Sequence, residues 1–152
     1  MTRFLPLALD LHGQQCLVVG GGSVGTRKAL TLARGGALVT VVSPQVTDEL
    51  AAHIGPGRIT WIEARFSAEH VCQDHRLVVM ATDDAGLNAA GARTAAEQGV
   101  LACNASSMED SRVIFGALLE RDGVTVAVFT DGRDPARAAR VRDSIATRPL
   151  SP

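Results

Sequence analysis

Gly20-Gly-Gly22-Ser-Val-Gly25 reads G-x-G-x-x-G. In that spacing the first glycine permits a tight turn, the second lets backbone approach a pyrophosphate, and the third lets helix and strand pack closely. The chemistry served is binding: free N–H groups and the positive end of a helix hold the phosphates of a dinucleotide. The alternative is a purely structural turn, and context decides between them. The apolar run 16–19 precedes the glycines, and residues 24–34 follow with apolar side chains at helical spacing (Val24, Ala29, Leu32, Ala33). The β-branched run 37–42 comes next, completing strand, turn, helix and strand, so the cradle is the reading we adopt. A site for NAD usually carries Asp or Glu at the end of the second strand; here that place holds Val42-Ser43-Pro44. Ser43 could bond a ribose hydroxyl or tolerate a 2′-phosphate, which leaves NAD against NADP open.

Two other groups carry possible chemistry. His70-Val-Cys-Gln-Asp-His75 holds two imidazoles and a thiol, a spacing that could ligate a metal, but it offers no fourth ligand and no metal site is assigned. Arg112, Arg133, Arg137, Arg140 and Arg142 crowd the last third of the chain. They could clamp carboxylates with paired hydrogen bonds or simply form a solvated helix face.

These residues need elements to position them. Gly35-Gly36 reads as a helix stop. Residues 46–53 read as a short helix, 59–62 and 76–81 as strands, 85–98 as a helix and 100–103 as a short strand. Alternating β and α elements specify a parallel sheet covered by helices on both faces. After Asn104 the rhythm changes: 113–119 and 124–129 read as two strands around the turn 120–123, and a helix runs from Pro135 to about residue 145. The tail 146–152 is expected to fray.

Composition narrows the partners. A net charge of −1 gives no general attraction to nucleic acid or to a membrane surface. One Trp, four Phe and no Tyr are too few for a base-stacking platform. No segment approaches the ~20 apolar residues of a membrane span, and the opening stretch, interrupted by Pro6 and Asp10, lacks the features of a secretory signal. Cys16, Cys72 and Cys103 are odd in number and widely spaced, which suggests reduced, mostly buried thiols and a cytoplasmic address.

Several motifs taken as a set resemble the precorrin-2 dehydrogenases, including the amino-terminal module of siroheme synthases and the stand-alone dehydrogenase/ferrochelatases. They are Leu5-Pro6-Leu7, the glycine run with Arg27-Lys28, Val39-Thr-Val-Val-Ser-Pro44, Ala81-Thr-Asp-Asp84 with Asn88, Cys103-Asn104, and Thr130-Asp-Gly-Arg-Asp-Pro135. The resemblance covers residues 4–145. It implies an α/β fold: a Rossmann-like doubly wound parallel sheet over 1–108, then a small α+β dimerisation segment and terminal helix over 109–152, with the family's C-terminal helical region truncated. It implies NAD-dependent oxidation of precorrin-2, a tetrapyrrole, to sirohydrochlorin, in a homodimer without chelatase activity. Gly20, Gly22, Ser23, Val24 and Gly25 would hold the pyrophosphate, Ser43, Pro44 and Gln45 the adenosine end, and Thr82 and Asp83 the nicotinamide side. Asn104, Arg112, Arg133 and Arg137 would bind the substrate carboxylates.

Two departures bear on chemistry. Where the family has an Asp credited with acid/base work, this chain has Ser107, whose hydroxyl cannot accept a proton at neutral pH. Glu109 or Asp110 could substitute, or could be caps or surface charges; Ser107 and Glu109 are the catalytic candidates. A module that binds the dinucleotide without catalysis is the alternative. The family's G-G-x-S-P turn is here Asp131-Gly-Arg-Asp-Pro135, and two added acids would repel a polyanion unless Arg133 and Arg137 neutralise them.

Overall fold

The computed structural model describes residues 3–148. They form two compact units, one from Leu9 to Val113 and one from the residues up to Ala8 with those from Ile114 on.

The larger unit contains β1 (Gln15–Val19), α1 (Ser23–Arg34), β2 (Leu38–Val42), α2 (Asp48–Ala51), β3 (Ile59–Ile62), β4 (Leu77–Met80), α3 (Ala85–Glu97) and β5 (Leu101–Asn104). The five strands make one parallel sheet in the order β3-β2-β1-β4-β5. From β1 the chain moves one way to β2 through α1, and from β4 it moves the other way to β5 through α3. Right-handed crossovers therefore put α1 and α3 on opposite faces. Strands covered on both faces need apolar residues at every position, which is why Cys16–Val19 and Leu77–Met80 are continuous buried runs. Leu17, Val19, Val78, Met80 and Ala102 pack with Ala92 and Ala95 of α3. The alternating residues Cys16, Val18, Val39, Val41 and Val79 are equally buried and point to the other face.

The smaller unit contains β6 (Ala117–Arg121), β7 (Val124–Val128) and α4 (Pro135–Ala146). Its strands pair antiparallel. The turn is the dipeptide Asp122-Gly123 with positive φ at both residues (53° and 76°), the conformation whose twist suits a two-residue hairpin. Arg121 donates from both guanidinium ends to the carbonyls of Ala146 and Arg148, satisfying the last turn of α4.

Most expected elements are present, with shifts that have local causes. The strand expected from 113 begins at Ala117, because the N–H groups of Arg112 and Val113 both bond to the Ala102 carbonyl instead of a hairpin partner. The short helix expected over 46–53 shrinks to Asp48–Ala51, since Thr47 stands outside it and caps it, its hydroxyl accepting from Leu50 N–H at 3.1 Å. Ala146 closes α4, and of the tail expected to fray, residues 149–152 lie outside the described ones. Among the described residues no helix is long and apolar enough to cross a membrane.

Candidate functional site

The sheet order reverses between β1 and β4, and in open α/β sheets the crevice at the carboxyl ends of the strands flanking that reversal is where ligands bind. The glycine run follows β1 there and Thr82-Asp83-Asp84 follows β4. The two loops touch. Gly20 has φ 107°, and a Cβ on it would run into the Ala81 carbonyl. A Cβ on Gly21 would strike the Gln45 carbonyl, and one on Gly25 the Gly20 carbonyl. The expectation for Gly25 was close packing of helix on strand; its contact is with the glycine loop itself. Gly22 differs from all three, because a Cβ there would meet nothing within 4 Å. It is the N-cap of α1 and carries no side-chain cap, so the first N–H groups of the helix have no intrahelical acceptor and face that space. Backbone tightly folded on three sides and open on the fourth, at a helix N-terminus, fits a phosphate group. Thr26 anchors the floor: its hydroxyl lies 2.7 Å from that of Thr47, whose N–H donates to the Gly21 carbonyl.

Ser23 and Val24 stand exposed on the opening turn of α1. At the end of β2, Ser43 is buried and its main chain is committed: its N–H donates to Ile62 and its carbonyl accepts from the Trp61 indole at 2.9 Å. Pro44 and Gln45 beyond it are exposed. On the β4 side Asp83 is exposed, while Asp84 caps α3 by accepting from Leu87 N–H. Thr82 is turned inward, its N–H and hydroxyl both donating to Asn88 Oδ1.

After β5 the chain forms a tight loop. Asn104 is buried; its Nδ2 donates to Asp110, and its Oδ1 accepts from Ser106 N–H. Each end of that amide gives one of its two hydrogen-bonding capacities to the loop, so Asn104 helps shape it from within. The Ser107 hydroxyl accepts from Glu109 N–H at 3.2 Å, and the Ser107 carbonyl accepts from the Ser111 hydroxyl at 3.0 Å. Ser107 thus caps the turn that presents Glu109, which is exposed, as is Arg112. Burial lowers the Lys28 ammonium below its usual value, against the opposing pull of Cys103; burial likewise raises the Cys103 thiol, with Lys28 opposing.

In the smaller unit Arg133 and Arg137 are exposed. The two acids expected to repel a polyanion have structural work. Asp131 accepts from the N–H groups of Arg3 and Phe4 and lies 3.8 Å from Arg133, and Asp134 caps α4 by accepting from Arg137 N–H at 2.7 Å. His70 Nδ1 accepts from Ser67 N–H, and His75 Nδ1 from Cys72 N–H. Each imidazole is tied into its own turn, and among the described residues no three His, Cys, Asp or Glu side chains are grouped to hold a metal. Cys16 and Cys103 are buried and Cys72 is exposed on its loop, in keeping with mostly buried thiols. Asn88 and Ser106 hold positions in the site that no sequence motif had assigned a role. The available signal was a polar residue on the small, buried stripe that α3 otherwise fills with Gly91, Ala92 and Ala95.

Comparison with known proteins agrees with this geometry. Siroheme synthase from Hydrogenovibrio crunogenus is 36% identical over 146 residues, 95% of this chain and 31% of that protein. The siroheme synthase of Nitrosococcus oceani is 37% identical over 145 residues, with coverage of 95% and 31%. The chain thus spans about a third of the length of these curated relatives. Among solved structures, SirC, a precorrin-2 dehydrogenase, superposes with a TM-score of 0.75 at 26% identity, over 95% of this chain and 70% of that one. The model of a family described as NAD(P)-binding matches residues 7–117, which include the whole five-stranded sheet and its glycine cradle. The chain belongs to this NAD(P)-binding family.

Proposed function

We propose that the chain catalyses NAD-dependent dehydrogenation of precorrin-2 to sirohydrochlorin. The observation that carries this reading is the likeness to SirC over nearly the whole chain, joined to a cradle of the right shape at the switch point. Gly20, Gly22 and Gly25, with Ser23 and Val24, would hold the pyrophosphate; Ser43, Pro44 and Gln45 would line the adenosine end, and Thr82 and Asp83 the nicotinamide side. When bound, NAD⁺ supplies the hydride acceptor, so that substrate and NAD⁺ give sirohydrochlorin, NADH and one proton.

That proton needs a base. Glu109 has the carboxylate, and Ser107, which accepts its N–H, holds the turn that presents it. Arg112 would give a bidentate contact to a substrate carboxylate, and Arg133 and Arg137 are the further candidates for such contacts. Asn104 would bind the substrate with the capacities left after one bond at each end of its amide holds Asp110 and Ser106 in place.

A homodimer forms through the smaller unit. Leu5 and Leu7 are 78% and 79% exposed and Val124 48%, apolar surface of the kind a partner copy would cover. The three free thiols fit the reducing cytoplasm.

The test is anaerobic turnover of precorrin-2 with NAD⁺ and with NADP⁺, followed by sirohydrochlorin absorbance. Turnover with NAD⁺ is expected, and Glu109→Gln should lower kcat roughly 10²- to 10⁴-fold, as loss of a general base does. A wild type that binds NAD⁺ yet stays inert, and gains activity as Ser107→Asp, would overturn the reading.

A further inference from the structure

Asn88 has no exposed surface, on a helix stripe of glycine and alanine. An amide buried there is costly unless both ends are paired, and each of its four main hydrogen-bonding capacities is taken. Oδ1 accepts from the Thr82 N–H at 3.0 Å and from the Thr82 hydroxyl at 2.7 Å. Nδ2 donates to the Thr82 carbonyl at 2.9 Å and to the Ser106 hydroxyl at 2.5 Å. Three bonds grip one residue of the loop after β4; the fourth crosses to the loop after β5. The strand ladder joins these loops only as far as Ala105, whose N–H bonds to Met80. Past that root the Asn88 amide spans the gap, and Ser106 in turn fixes its own N–H on Asn104.

We propose that Asn88 is a positioning residue that ties the Thr82-Asp83 loop to the Ser106-Ser107 loop, keeping the hydride-accepting and proton-accepting sides of the site in register. The inference rests on the function proposed above. Its logic is geometric: a core amide that only satisfied Thr82 would need three bonds, whereas the fourth goes to an exposed serine on the loop that presents Glu109.

Ser106→Ala is the discriminating variant, because it cuts the bridging bond on an exposed residue and leaves the grip on Thr82 and the packing of α3 intact. Three readouts are taken: amide hydrogen exchange of residues 105–111 without dinucleotide, NAD⁺ affinity by titration, and kcat and KM for precorrin-2. Ser106→Ala should speed exchange at the Ser107 and Glu109 amides and lower kcat roughly ten- to a hundredfold, as a small misplacement of reacting groups does, with NAD⁺ affinity unchanged. Ser106→Thr should restore both. Asn88→Asp keeps the shape and the accepting bonds but faces a carboxylate to the Thr82 carbonyl, and should give the same loop exchange with a larger fall in kcat. If Ser106→Ala exchanges and turns over like wild type, or if exchange quickens while kcat holds, Asn88 is a core amide and the proposal falls. If exchange quickens as expected but wild type itself does not oxidise precorrin-2, the tie between the loops stands and the substrate reading is what fails.

Discussion

The three glycines of the motif have separable work. Gly25→Ala drives a methyl group into the Gly20 carbonyl and should cost about 1–3 kcal/mol of stability by overpacking, measured by chemical denaturation. Gly22→Asp places its side chain in open space, so the protein should fold with its melting temperature nearly unchanged while NAD⁺ binding is lost to crowding and charge repulsion. Equal NAD⁺ affinity in Gly22→Asp and wild type, by calorimetric titration, would sink the cradle. Gly25 was legible in the sequence because the backbone it meets, the Gly20 carbonyl, lies within the motif, whereas the demand that the Ala81 carbonyl makes on Gly20 comes from the loop after β4. The Asn88 tie was not legible, since Thr82 and Ser106 meet only because β4 and β5 are sheet neighbours. Ser107 lies between these cases: its departure from the family's Asp is visible in the letters, but its hydroxyl holding Glu109 N–H requires the fold.

At the level of elements, β1 offers a pH test. Burial at the centre of the sheet pushes the Cys16 thiol from 9.0 up to about 11, against a weaker opposing hydrogen bond from Leu77. Below pH 9 the folded and unfolded chains both hold that proton. Between 9 and 11 the unfolded chain releases it first, so stability is lost as pH rises through this window, by about 2–3 kcal/mol at its top. Cys103, also raised, adds in the same sense, whereas Lys28, lowered by burial, acts in the opposite one. Comparing the pH slope of denaturation for wild type and Cys16→Ala isolates the thiol, and identical slopes would refute the assignment. For α4, Asp134→Ala removes the cap ahead of Pro135 and should cost about 1 kcal/mol, read as a lowered melting temperature. The elements themselves were well marked in the sequence: doubly covered strands are written as unbroken apolar runs, and Asp134-Pro135 announces a helix start. What blurred was the start of β6, because whether Arg112 and Val113 bond to β5 or to the hairpin is a tertiary choice.

For the whole molecule, the alternation of strand and helix made a parallel sheet with helices on both faces legible in the sequence, whereas the order 3-2-1-4-5 is set by which strands pair in the fold. Association could not be read, because exposed apolar residues such as Leu5, Leu7 and Val124 do not by themselves say what covers them. The proposed dimer predicts that Leu5→Asp with Leu7→Asp shifts sedimentation from two copies to one while leaving the circular dichroism spectrum intact; a wild type that sediments as a monomer would refute it. The bond from the Trp61 indole to the Ser43 carbonyl has one more consequence. With one tryptophan and no tyrosine in the sequence, the ultraviolet emission of this protein comes from a single lamp, hung at the end of β2 where the adenosine end of the dinucleotide is proposed to rest. Loading the site should dim or recolour that lamp, and the reduced nicotinamide should draw its energy by transfer, so that occupancy can be watched in a cuvette without dye or label.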